Sequence, residues 1–236
     1  MSILLIDTCG ATGSIAFAPS VSRLADGPAP AGIACATFPG RTASERLVAE
    51  VRSLVGPDLG SLAAVAVVHG PGSFTGVRVG LSAAKGLCEA LGLPLVAISR
   101  LAVLAHRAMP PAGRTVFPLL DAGRGEFYLG QYRDGLCLGE QLVTRDQLRA
   151  AANAAKDLAG EPPLVVAFEG LVADAVRDLQ PRLIAEPGLV DALPIALDRI
   201  KAHSFDDTAA IDANYLRRTD AEIFARPRAS ERRDTP

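Results

Sequence analysis

Histidine is scarce in this sequence: there are three, His69, His106 and His203, and no two lie within one helical turn of each other. A helix-borne catalytic metal pair needs histidines at i and i+4 on one face, so that class of site is not expected. The four cysteines (Cys9, Cys35, Cys88, Cys137) are scattered, with no C-x-x-C pair and no neighbouring histidine. Their spacing argues against a zinc knuckle and a disulfide framework and fits a reducing compartment. Neither sign of charge is in excess, with 24 Lys+Arg against 26 Asp+Glu, so the bulk charge carries no basic nucleic-acid footprint. Long apolar runs are missing too. The first, Ile3–Ile6, is four residues long and ends at Asp7, too short for a signal sequence. No stretch approaches the 18 or so apolar residues of a membrane helix, so the expectation is a soluble, cytoplasmic chain.

What is present is enough for a large core. The chain has 236 residues, 49% of them hydrophobic, and a chain of this size buries roughly 70–75% of its unfolded surface. Ile3–Ile6 and Ser14–Ala18 read as a strand pair with Asp7 at its mouth. Ser20–Gly32 reads as loop and Ile33–Phe38 as a third strand. Arg41–Gly56 is a helix, with Thr42 and Glu45 spaced as a capping box and Leu47, Val48, Val51, Leu54 and Val55 on one face. A strand at Ala63–Val68, a helix to Leu91, a strand at Pro94–Ile98 and a helix at Arg100–Ala108 capped by Ser99 follow.

After "MPPAG" the layout starts again. Val116–Leu120 ends in Asp121, "AGRG" turns, and Glu126–Arg133 and Leu136–Val143 supply two more strands. Thr144 caps a helix to about Ala155, Leu164–Phe168 is a strand, and Val172–Leu179 a helix. Two βββαβα halves, each headed by an aspartate, predict an α/β chain of the actin-like/sugar-kinase/Hsp70 (ASKHA) class, with a reduced second half. The expected division is 1–104, 105–216 and an arginine-rich tail, 217–236, with six arginines, four acids and little to bury.

The stretch "VVHGPGSFTGVRVGLSAAKGL" (Val67–Leu87) carries the most information. It lacks G-x-x-x-x-G-K-[ST], so it is no P-loop, and "GPGS" is not the G-x-S-x-G elbow that would make Ser73 a nucleophile. It still follows a strand and opens a helix, where an anion is welcome. A remnant anion or nucleotide loop would use Asp7, Thr8, Gly72, Ser73 and Thr75. The rival reading has Thr75 capping the helix, a Phe74/Val79 staple, and Asp7 and Asp121 capping their own turns. Gly76, Gly80 and Ala84 share one helix face beside Ala83. A helical glycine costs about 1 kcal/mol relative to alanine, so this face is trimmed for another backbone, either the domain's own sheet or a second subunit.

"ILLIDT", "SERL" (44–47), "GPGSFTGVRVGLSAAKGL", "PLVAISRLAVLA", "DAGRGEFY" and "YLR" (215–217) together resemble the bacterial TsaB (YeaZ) family, densely over 1–132 and thinly beyond. The resemblance implies the dimerization subunit of the tRNA threonylcarbamoyladenosine machinery. Such a subunit is non-catalytic and has no metal or cofactor of its own. It implies pairing with TsaD, recruitment of the ATPase TsaE, pairing with a second copy of itself, and contact with tRNA through the assembled complex. The family's contact helices fall at 42–55 and 76–91, which places the interface at Leu47, Val51, Gly76, Arg78, Gly80, Ala83 and Ala84. The chain departs from the family pattern at Cys9-Gly10-Ala11, at Gly123, and at Ala43, where relatives carry a nearby histidine. These departures weaken the carry-over of ligand contacts from the first hairpin and leave the subunit role intact. The competing expectation is a stand-alone actin-like ATP-dependent phosphotransferase or ATPase; a further one is that the arginine-rich tail touches tRNA.

Overall fold

The computed structural model describes residues 1–19, 32–57 and 59–217. Most of the loop expected at 20–32 and of the tail expected at 217–236 lies outside them. Among the described residues, no helix is long and apolar enough to cross a membrane.

Two five-stranded sheets are built on one plan. In the first, β1 (Ser2–Asp7), β2 (Thr12–Ala18) and β3 (Ala34–Pro39) form an antiparallel meander. β4 (Leu62–Val68) and β5 (Leu95–Ile98) add parallel strands on the other side of β1, in the order β3-β2-β1-β4-β5. In the second, β6 (Thr115–Gly123), β7 (Glu126–Arg133) and β8 (Leu136–Thr144) repeat the meander. β9 (Leu164–Ala167) and the two-residue β10 (Arg182–Leu183) repeat the parallel extension, in the order β8-β7-β6-β9-β10. Strand for strand the two orders match. This is the actin-like ASKHA fold.

Ile3–Ile6 is apolar at every position because β1 is central and covered on both faces. One face carries α1 (Ala43–Val55) and α2 (Phe74–Leu91). The other carries α6 (Leu189–Lys201), a helix that sequence reading did not anticipate. Pro194 stands inside it and reads as a break, since an interior proline costs about 3 kcal/mol. Leu189, Leu193, Leu197 and Ile200 are buried in the first core, each worth about 1.5–3 kcal/mol. Their sum outweighs the proline.

Two segments pack across the expected division. The 104/105 boundary falls inside α3 (Arg100–Arg107), whose Leu101, Leu104 and Ala105 pack with Val116, Leu120, Tyr132 and Val166 of the second half. The helix α6 and Ala213 return to the core of the first half, and Asp206 bridges to Leu95. In the second half, α4 (Arg145–Ala159) keeps its Thr144 cap as a full capping box with Gln147. The helix expected at Val172–Leu179 is α5 (Gly170–Ala175) followed by a 3-10 turn.

Candidate functional site

The loop between β1 and β2, Thr8–Ala11, is the hub of the site. Thr8 is fully buried, and its hydroxyl donates to the Gly76 carbonyl at 2.6 Å. The backbone N–H of Ser73 donates to the Cys9 carbonyl at 2.8 Å, and that of Gly40 to the Ala11 carbonyl at 2.8 Å. Glycines ring this loop because its carbonyls come too close for side chains. A Cβ on Gly72 would stand 2.5 Å from the Cys9 carbonyl oxygen, and one on Gly40 would stand 2.9 Å from those of Gly10 and Ala11. On Gly76 and Gly80 it would overlap the Thr8 carbonyl and hydroxyl oxygens, respectively.

The trimmed helix face thus fits the chain's own hairpin. Gly76, Gly80 and Ala84 are buried against it, and Leu47 and Val51 of α1 are buried in the same core. None of these five can present a side chain to a second subunit as the chain stands. Ala83 is half-buried. Arg78 is exposed but engaged: its guanidinium lies 3.7 Å from the Phe74 ring centroid and its Nε donates to the Tyr215 hydroxyl at 2.6 Å.

The helix starts are also corrected. Ser73, not Thr75, caps α2, its Oγ accepting from the Gly76 N–H at 3.3 Å. Phe74 is then the first helical residue, so it cannot staple to Val79. Thr42 makes no side-chain cap on α1; its hydroxyl turns back to the Pro39 carbonyl at 2.9 Å because a 3-10 turn at Gly40–Thr42 precedes the helix.

The two aspartates behave alike. Asp7 Oδ1 accepts from the Cys9 N–H at 2.8 Å, and Asp121 Oδ1 from the Gly123 N–H at 2.8 Å. Each carboxylate closes the turn two residues on, as the turn-capping reading expects. The Cys9 thiol is buried and donates to the Val68 carbonyl at 3.1 Å. Burial, reinforced by the Asp7 charge, pushes its pKa well up, so it stays a protonated, inert thiol.

Thr8, Gly72, Ser73 and Thr75 do come together, on the wall of a cleft of about 650 Å³ between the halves. Asp7 lies behind that wall, in a smaller recess beside Arg100. Arg41 and Arg100 supply the cleft's cations, and Asp121 and Tyr128 face it from the second half. Two cations opposite one carboxylate can hold an anion. Among the described residues, no group of three or more His, Cys, Asp or Glu side chains is placed to bind a metal.

Sequence reasoning missed the residue that ties the halves together. Glu140 of β8 accepts from Ser99 Oγ at 2.5 Å, from Asn214 Nδ2 at 2.5 Å and from the Tyr132 hydroxyl. Its only signal in the sequence is a charge in mid-strand. Arg217 adds a second tie, 2.8 Å from Glu126 and donating to the Ala122 carbonyl at 2.8 Å.

A family model described as TsaD, tRNA N6-adenosine threonylcarbamoyltransferase, matches residues 41–222. The TsaB protein of Escherichia coli is 31% identical over 158 residues, 64% of this chain and 68% of that protein. The chain belongs to the TsaB (YeaZ) family. TsaB of Bacillus subtilis is 36% identical over 148 residues, and that match spans 61% of this chain but only 60% of the Bacillus protein. A crystal structure of a Pseudomonas aeruginosa protein, described as similar to peptidase YeaZ, superposes with a TM-score of 0.65 at 25% identity, covering 92% of this chain and 99% of that one. The TsaB resemblance carried by the glycine-rich block and "DAGRGEFY" is thus confirmed.

Proposed function

We propose that this chain is a non-catalytic subunit in the biosynthesis of tRNA N6-threonylcarbamoyladenosine, the process named in its TsaB relatives. In this reading it pairs with a TsaD-type protein, helps recruit TsaE, and meets tRNA through the assembly. One observation carries the choice over an independent phosphotransferase. At the start of α2, where a phosphate would sit on free amides, the chain's own Thr8 and Cys9 carbonyl oxygens press against Gly76 and Gly72, and Ser73 N–H is already donating to Cys9. Carbonyl oxygens there repel an anion.

The pairing surface we assign is the outward side of the contact helices. Val48 projects from α1, 57% exposed. Val79 and Ala83 are partly open on α2, and Gly86 has free space where a side chain would stand. Ala83 is kept from the sequence-based expectation, Val48, Val79 and Gly86 take the place of its buried members, and a second copy of the chain would use the same face.

The second reading, a stand-alone ATP-dependent enzyme, draws on Arg41 and Arg100 in the cleft. Calorimetry of the purified chain with Mg-ATP separates the two. The scaffold reading expects no micromolar binding with turnover; saturable binding accompanied by ADP release overturns it.

A further inference from the structure

We propose that the pocket bounded by Phe74, Tyr215, Tyr128, Arg124 and Arg217 binds an unpaired nucleotide of RNA. It is an open pocket of about 300 Å³ at the edge where the start of α2, the β6–β7 turn and the C-terminal strap meet. Phe74 and Tyr215 are 46% and 37% exposed, side by side at the pocket wall. They are also held in place: their centroids lie 5.3 Å apart at 32°, and Arg78 locks both from the side. Rings kept exposed and immobile make a stacking platform, since every base offers a π-face at little ordering cost.

The charge around them has the matching sign. Arg124 stands at the tip of the turn with φ 59, between Gly123 and Gly125, and makes no ion pair among the described residues. Arg217 is paired with Glu126, and Arg78 is bonded to Tyr215, so among the described residues the free cation facing the pocket is Arg124. A base stacked on the Tyr215 and Tyr128 side would bring its phosphate to that guanidinium. A paired base has both faces covered by its neighbours in the helix, so only a single-stranded or looped nucleotide fits. The choice of RNA rests on the subunit role proposed above; the aromatic and arginine geometry does not.

The test uses the full-length chain and a fluorescein-labelled 12-nucleotide single-stranded RNA, read by anisotropy. The expected result is binding that weakens with salt and falls about tenfold with either Tyr215→Leu or Arg124→Glu. Duplex RNA and adenosine monophosphate should each bind at least tenfold more weakly than the single strand. On the unsubstituted chain, 4-thiouridine RNA should photo-crosslink to Tyr215 or Phe74, a readout that needs no variant to fold. Affinity unchanged in both variants, crosslinks elsewhere, or equal binding of the mononucleotide overturns the proposal. Loss of pairing with a TsaD-type protein in Arg124→Glu also overturns it, because the pocket is then a protein interface. Failure of the unsubstituted chain to pair at all counts against the subunit role instead.

Discussion

Thr8 and Gly76 are interlocked: the Thr8 hydroxyl donates to the Gly76 carbonyl at 2.6 Å, while the Thr8 carbonyl occupies the place where a Gly76 side chain would begin. The glycine-rich block is therefore the socket for the first hairpin. Its small residues serve the fold, and the pairing surface proposed above lies on the flank of the same helix, at Val79, Ala83 and Gly86.

This predicts opposite signs for two substitutions in one helix. Gly76→Ala forces a methyl group into the Thr8 carbonyl and should cost about 2–3 kcal/mol. Gly86→Ala, which meets nothing, should gain up to about 1 kcal/mol from helix propensity. Urea denaturation of both proteins measures the pair; equal effects would mean that the socket is not as tight as described.

Glu140 is expected to matter more than an ordinary mid-strand glutamate. Replacing it with alanine removes the acceptor of Ser99, Tyr132 and Asn214 together and leaves the Ser99 and Tyr132 hydroxyls only each other, so one of their two protons loses its acceptor. An orphaned buried hydroxyl costs about 1–3 kcal/mol. Glu140→Gln keeps an acceptor and should lose less, a ranking that thermal unfolding would reveal.

Alkaline pH should loosen the same junction. Burial first, then the Glu140 charge, push the Tyr132 phenol well above its ordinary value of 10. The folded state thus holds this proton more tightly than the unfolded one. The associated stability is complete below about pH 10 and is lost as pH rises beyond it. Cys88, pushed up to about 11 by burial from 9.0, acts in the same direction from near pH 9. Stability measured between pH 8 and 10.5 should fall less steeply in Tyr132→Phe than in the parent.

Two neighbours on α1 separate fold from function. Leu47 is buried and Val48 is exposed. Leu47→Asp should prevent folding, whereas Val48→Asp should change stability by no more than about 0.5 kcal/mol and still abolish pairing with a TsaD-type protein. Circular dichroism combined with co-purification distinguishes the cases. Intact pairing in Val48→Asp would move the interface elsewhere.

Elements with strong local signals were legible in advance. The apolar run Ile3–Ile6, the Thr144 cap, the helix α1 with its buried Leu47 and Val51 (though not Val48, expected on the same face but exposed) and the turns closed by Asp7 and Asp121 all depend on neighbours within a few residues. Even the duplicated layout could be read, because each half repeats the same local order. Long-range pairings were not legible. That Gly76 meets Thr8 rather than another subunit depends on a contact 68 residues away, and a small-residue stripe looks the same in either case. Helix α6 went unread, and its interior Pro194 carries a local penalty that is offset by a core contributed by the other end of the chain. Ser73 rather than Thr75 caps α2 because Ser73 is anchored to Cys9, a tie invisible from spacing.

Light scattering of the chain mixed with a TsaD-type partner, resolved by gel filtration, tests the subunit role most directly. The account predicts one peak whose mass is the sum of the two chains, and its disappearance when Val48→Asp replaces the parent. Two separate peaks at micromolar concentrations, each with the mass of its own component, would contradict it.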